Sequence, residues 1–336
     1  VAVEFAYFSI HSLLNEFFMR AIVLNQSGAR FTADRPKPDP VAGEVLVKVL
    51  KAGICETDLQ LIAGYMGFQG VLGHEFVGIA ESGQYAGQRV VGEINCSCRV
   101  CDSCKTGLPN HCPTRSVLGI LNHDGAFADF VAVPEINLHP VPDSVSTVEA
   151  VFTEPLAAAF QIPAQLDLNL FAKVVVLGDG RLGNLCAQVL KLSGCAVSVI
   201  GKHAEKLQRL SELGIETSLL QETTFNKTAG LVVDCTGSET GLPTAFQLVK
   251  PRGTIVLKTT IAGQQTLELA PAVIDEITIV GSRCGPFDQA LIALSASAID
   301  VRGLVSKSFP IEQAEEAFCA AREQLVLKVL FDLESE

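Results

Sequence analysis

The sequence lacks any uninterrupted apolar run long enough to cross a bilayer, although 48% of its residues are hydrophobic. Gly, Pro or charge breaks each stretch short of the roughly 20 residues a spanning helix needs, so no membrane association is expected. It also lacks a surplus of positive charge: 25 Lys and Arg stand against 37 Asp and Glu, a formal net charge of −12. Such a field repels polyanions, and no nucleic-acid partner is expected. Residues 1–18 have no basic leading region and no small-residue cleavage site, and they carry Glu4 and Glu16. They read as an upstream extension or extra helix instead of a secretion signal. Met19, followed by RAIVL, reads as a natural start, which a mass spectrum of native protein beginning at Val1 would overturn. No internal repeat or low-complexity linker marks a domain boundary.

What is present begins with length. A chain of 336 residues exceeds the usual size of one hydrophobic core and should divide into about two domains. From Arg20 to about Phe152 the sequence gives short β-like runs (AIVL, VLVKVL, VGIA, FVAV) between Gly and Pro, which predicts a mainly β domain. From Lys173 strands alternate with helices: VVVL, a helix over 181–192, AVSVI, a helix over 204–213, then LVVDC. That texture predicts a doubly wound α/β domain with a parallel sheet. Helices are further predicted over 287–298 and 311–322, with a final strand near VLKVLF. The boundaries drawn from this texture are 1–18 as an extension, 19–155 as the β domain completed by 285–336, and 156–284 as the nucleotide-type domain.

Eleven cysteines would suggest disulfides in a small secreted protein, but here five lie between Cys96 and Cys112 of a long chain. Such clustering favours metal over disulfides and fits a cytoplasmic protein. Cys98, Cys101, Cys104 and Cys112 are separated by two, two and seven residues, a spacing that lets one loop wrap four thiolates around an ion. Zinc is the expected occupant, with iron as the weaker alternative. Four protein ligands close the coordination sphere, so this zinc should be structural. Cys96 reads as a spare thiol.

A second group is dispersed. GICETD contains Cys55 and Thr57, GHEFVG contains His74 and Glu75, and TEPLAAA contains Glu154. Taken singly, Cys55 reads as a small buried hydrophobe, His74 as a satisfied core histidine and Glu154 as a helix N-terminal charge. Together, Cys, His and carboxylate suit an open zinc site in which a substrate oxygen replaces water. These ordered motifs resemble the zinc-dependent medium-chain dehydrogenases, in the polyol and threonine dehydrogenase-like branch, over nearly the whole chain after residue 19. The resemblance implies a GroES-like, mainly β catalytic domain plus a Rossmann domain. It implies Cys55 and His74 as ligands of a catalytic zinc, Glu154 as the third ligand, Glu75 alternating with or replacing it, and Thr57 as the hydroxyl that receives the alcohol proton. Asp58 would order the ligand loop. Some relatives carry histidine three residues after the Thr57 position, where this chain has Gln60.

KVVVLGDGRLGNLCAQVLK places Gly178, Gly180 and Gly183 in GxGxxG register between a strand and a helix. The absent side chains allow a tight turn and close approach of a pyrophosphate, which meets backbone N–H groups of Arg181 and Leu182 at the helix start. No acidic residue follows the second strand, where an NAD enzyme usually places one on the adenosine ribose. Gly201 leaves room there, and Lys202 with His203 could face a 2′-phosphate, so NADP is favoured over NAD. The other reading makes Lys202 a solvated charge and puts Glu205 on the ribose. The segments 234–238 and 281–285 resemble later cofactor-side loops, with Arg283 as a candidate phosphate or nicotinamide contact or a surface ion-pair residue.

The reaction these residues imply is reversible oxidation of an alcohol to an aldehyde or ketone by NAD(P), with two zincs per chain. Alternatives on the same scaffold are a reductase of activated double bonds or iminium groups, and a catalytically silent NADPH-binding protein. The resemblance also implies a homo-oligomer, dimer or tetramer.

Overall fold

The computed structural model describes residues 17–260 and 266–334, and the expectation for residues 1–18 lies almost wholly outside them. The chain forms two compact units, one from residues up to Glu154 together with those from Val305 onward, the other from Pro155–Leu304.

In the first unit, hydrophobic residues alternate along short strands because one face of each packs inward. In β3 (Glu44–Gly53), Val45, Val47 and Val49 are buried while Lys48 is exposed. β1 (Phe18–Asn25), β2 (Gly28–Pro36) and β4 (Gly70–Val71) make a three-stranded sheet, order β2-β1-β4. The larger sheet uses β5 (Glu75–Ala80), β6 (Arg89–Gly92), β9 (Phe130–Pro134) and β10 (Leu138–Pro140), together with β17 (Val305–Pro310) and β18 (Lys328–Asp332) from the returning chain. Its order is β10-β6-β5-β3-β18-β17, with β9 also paired to β3. The β18 register, Leu330↔Gly53 and Phe331↔Ala52, sets the last strand beside the residues that lead into Cys55. A two-stranded stalk, β7 (Asn95–Cys96) with β8 (Ser116–Val117), closes the base of the cysteine loop.

The second unit is a six-stranded sheet in which every pairing is parallel. Its strands are β11 (Val174–Leu177), β12 (Val197–Gly201), β13 (Glu216–Leu219), β14 (Ala229–Asp234), β15 (Val249–Leu257) and β16 (Thr278–Gly281), in the order β13-β12-β11-β14-β15-β16. β11 and β14 are buried at every position, as central parallel strands covered on both faces must be. This is the doubly wound Rossmann arrangement, whose order reverses between β11 and β14.

The helix predicted over 181–192 occupies Arg181–Leu192, and that over 204–213 occupies Ala204–Glu212. The chain returns to the first unit at Val305, not at 285. Segment 285–304 stays with the second unit because side chains far back in sequence hold it. Gln188 donates to Asp300 O at 2.9 Å and accepts from Asp300 N–H at 2.8 Å, and Arg209 donates to the Asp300 carboxylate at 2.5 Å. The helix Phe287–Ser295 buries Phe287, Leu291 and Leu294.

Candidate active site

The dispersed group assembles at the junction of three strands. Cys55 caps the helix Glu56–Ile62 just beyond β3, and His74 and Glu75 lead into β5, which pairs with β3. Gly73 has φ +97, and a Cβ there would lie 2.7 Å or less from ring atoms of Phe127, so glycine alone fits before His74. Ligand atoms of Cys55, His74 and Glu75 lie within 4.8 Å of one another. Asp58 accepts the Cys55 backbone N–H at 2.8 Å on one oxygen, and its other oxygen lies 3.3 Å from His74 Nδ1. Asp58 Oδ1 and His74 Nδ1 are buried and face each other without a formed hydrogen bond. The pairing presents a carboxylate to Nδ1 and leaves Nε2 for a metal, the usual outer support of a zinc-bound histidine. Burial alone would lower the pKa of the His74 imidazole. The Asp58 carboxylate and Cys55 outweigh it and hold the ring well above the ordinary histidine value. One soft sulfur, one imidazole and one carboxylate fit zinc.

Thr57, in the first turn of that helix, has its hydroxyl 3.9 Å from Cys55 Sγ. Gln60 donates to Glu56 at 3.0 Å and so turns along its own helix. Glu154 is half-buried in the first turn of the helix Thr153–Gln165 and stands outside the three-residue group.

Lys328 is not singled out by the sequence. It is fully buried, ion-paired with Glu75, donates to Ile54 O at 3.3 Å and lies 5.6 Å from the Phe152 ring centroid. Gly53 makes room for the pair: a Cβ there would fall 2.9 Å from Glu75 Oε2 and 3.3 Å from Lys328 Nζ. The available signal was a lysine inside the apolar strand VLKVLF.

The four cysteines of the loop converge as their spacing predicts. Cys101 Sγ is 3.5 Å from Cys104 Sγ and 3.8 Å from Cys112 Sγ, and Cys112 Sγ is 3.5 Å from Cys98 Sγ. A tetrahedron with zinc–sulfur bonds of about 2.3 Å has edges of about 3.8 Å, whereas a disulfide needs about 2.05 Å. The donors therefore fit zinc. The Thr114 hydroxyl and a backbone N–H lower the Cys112 thiol to about 6, which favours the thiolate a metal requires. Cys96 sits on the stalk, where burial pushes its thiol up to about 11.

In the second unit, Gly178 has φ +108 and a Cβ there would meet Cys235 O at 2.8 Å. A Cβ on Gly183 would strike Gly178 O, so the turn and helix close only with glycine at both positions. Gly180 caps the helix, and its first backbone bond runs from Asn184 N–H to Gly180 O at 2.9 Å. The N–H groups of Arg181, Leu182 and Gly183 thus lie at the helix start, where a pyrophosphate is bound in such folds. Lys258, also missed in the sequence, donates to Ala158 O at 2.6 Å, Ser282 Oγ at 3.2 Å and Arg283 O at 3.3 Å, fixing the loop that carries exposed Arg283. Asp234 accepts the N–H and hydroxyl of Thr236 at 2.9 and 2.8 Å and shapes its own loop. The space beside Gly201, read in the sequence as room for a 2′-phosphate, is filled by the carboxylate of Asp179.

Comparison with known proteins finds relatives over nearly the whole length of the chain. Residues 41–143 match the model of the alcohol dehydrogenase GroES-like domain, and residues 182–297 that of the zinc-binding dehydrogenase. Sorbitol dehydrogenase of Halalkalibacterium halodurans is 30% identical, over 93% of this chain and 98% of that protein. The crystal structure of the Escherichia coli alcohol dehydrogenase RspB, complexed with NADH, superposes with a TM-score of 0.85 at 28% identity, covering 94% of this chain and 99% of that one. A zinc-binding dehydrogenase from Sinorhizobium meliloti, bound to NADP, gives 0.84 at 26% identity with the same coverage. On its ligand motifs, its two-unit fold and this similarity, the chain belongs to the zinc-dependent medium-chain alcohol dehydrogenase family.

Proposed function

We propose that this zinc-dependent oxidoreductase, which transfers a hydride between an alcohol and NAD(P), acts on a secondary hydroxyl of a polyol and carries two zincs per chain. The observation that carries the reading is the clustering of Cys55, His74 and Glu75 with Asp58 behind the imidazole. A polyol substrate is supported by similarity to the bacterial sorbitol dehydrogenase.

Zinc, when bound by Cys55, His74 and a glutamate, would supply Lewis acidity that makes a hydroxyl easier to deprotonate, and the nicotinamide would take the hydride. Asp58 holds the His74 ring in one tautomer and orientation. The Thr57 hydroxyl accepts the substrate proton and passes it toward solvent. Lys328 already offsets the charge of Glu75, which supports Glu154 as the third ligand and Glu75 as its alternate. The backbone N–H groups of Arg181 and Leu182 bind the pyrophosphate. Lys202 and His203 support NADP, and Asp179 opposes it.

Self-association is part of the proposal. β16 is an edge strand, and in the segment that precedes it Val273 and Ile274 are 77% and 78% exposed, apolar surface that a second copy would cover. Among the described residues no helix is long and apolar enough to cross a membrane. The grouping of Cys98, Cys101, Cys104 and Cys112 as metal ligands, not as disulfides, supports a cytoplasmic setting.

The test is NAD(P)H formation from a panel of polyols and simple secondary alcohols, with metal analysis on the same preparation. Turnover that follows zinc content and disappears in Cys55→Ala and His74→Ala is expected. Full activity in zinc-depleted His74→Ala protein, or a single zinc in active enzyme, would overturn the reading.

A further inference from the structure

We propose that Asp179 selects the cofactor at its adenosine end, taking the place of the acidic residue missing after β12, so that the enzyme binds NAD in preference to NADP. The inference rests on the dinucleotide reading of the second unit.

Asp179 stands between Gly178 and Gly180, at position two of the glycine motif, and is 7% exposed. Its side chain turns from the end of β11 to the end of β12. There Oδ2 accepts the backbone N–H of Lys202 and that of His203, both at 2.7 Å. His203 Nδ1 lies 3.0 Å from Oδ1 and 3.1 Å from Oδ2. A Cβ at Gly201 would come 2.5 Å from Oδ2 and 2.6 Å from the Asp179 Cβ, so this crossing exists because residue 201 is glycine. The end of the second strand is where the adenosine ribose is read in this fold, with a carboxylate on the 2′-hydroxyl in NAD enzymes. Asp179 delivers a carboxylate to that place from the neighbouring turn.

Two consequences follow for the ligand. A 2′-phosphate needs N–H donors or cations, and both backbone donors of this turn are already engaged by an anion that would repel it. A ribose hydroxyl needs an acceptor. A carboxylate has about four lone-pair sites, and three donors occupy Asp179, which leaves one for the hydroxyl. Lys206 lies within Coulombic reach of the carboxylate, and Lys202 is exposed beside it. These cations are balanced by Asp179 in the native protein, and removing the carboxylate would release them to a phosphate.

Equilibrium titration of the zinc-loaded enzyme with NADH and with NADPH, followed by nicotinamide fluorescence, tests this without turnover. The native protein should bind NADH at least about tenfold more tightly than NADPH, the scale of one charge-assisted contact. Asp179→Asn, which keeps the shape of the turn, and Asp179→Ser should reduce that ratio about tenfold or more, with part of the change coming from tighter NADPH binding. Equal or tighter NADPH binding by the native protein would overturn the proposal whatever the variants do. So would an unchanged ratio in an Asp179→Asn protein with a native circular dichroism spectrum. Binding of neither dinucleotide would remove the cofactor reading itself, and the proposal with it.

Discussion

Replacing Lys328 by methionine should destabilise the first unit by about 3–5 kcal/mol, because it strands a buried carboxylate. Lys328 is fully buried and Glu75 is 1% exposed, so neither can turn to water. Two unit charges at about 4 Å attract by about 4 kcal/mol at the effective dielectric of a protein. The lost hydrogen bond from Lys328 to Ile54 O adds about 1 kcal/mol, and methionine retains most of the packing. Glu75→Gln alone strands the ammonium instead, with the Ile54 carbonyl and the Phe152 ring as its remaining partners. The double variant removes both charges and should recover much of either single loss, giving a coupling of about 2 kcal/mol or more. Urea denaturation at fixed zinc content measures it, followed by far-ultraviolet circular dichroism because the chain has no tryptophan. A loss under about 1 kcal/mol for Lys328→Met would refute the reasoning, as would a double variant no more stable than the singles.

Asp58→Asn should weaken zinc at the dispersed site about 10–100-fold in chelator competition, since Asp58 is the group facing His74 Nδ1; unaltered affinity would mean that the ring is oriented by something else. Cys112→Ser should lower the zinc content by one per chain while Cys96→Ser leaves it unchanged, and equal losses in elemental analysis would make Cys96 a ligand. Burial would raise the Glu312 carboxyl, but its hydrogen bond from Arg20 outweighs this and holds it below the ordinary glutamate value. A depressed carboxyl stabilises above its unfolded pKa, and the contribution is lost as pH falls through the lower folded value. Glu312→Gln should therefore cost at most about 1 kcal/mol at neutral pH, the carboxylate side chain being 44% exposed, and the gap should close on acidification. A gap independent of pH would contradict the pairing.

The cysteine loop was legible because all four ligands lie within fifteen residues and their spacing is itself the geometry. The glycine turn was legible for a similar reason: strand, turn and helix adjoin in sequence. Lys328 was not, since its partner lies 253 positions away and only the β18 register brings them together. Asp179 sat in view between two glycines, but nothing local says that its carboxylate reaches residues 202 and 203. The return at Val305 was misplaced for the same cause, because the bonds of Asp300 to Gln188 and Arg209 are long-range.

The placement of β18 against β3 also bears on how the protein is made. A chain emerging from the ribosome supplies the whole of Pro155–Leu304 before it supplies Lys328. Domains commonly fold in the order in which they are synthesised; here the unit that starts first is completed last. Until then, part of β3 offers an open edge and Glu75 has no counter-ion, a combination that invites mispairing with other nascent chains. Translation stopped shortly before Lys328 would thus leave a finished nucleotide-type unit tethered to an unfinished metal-binding one.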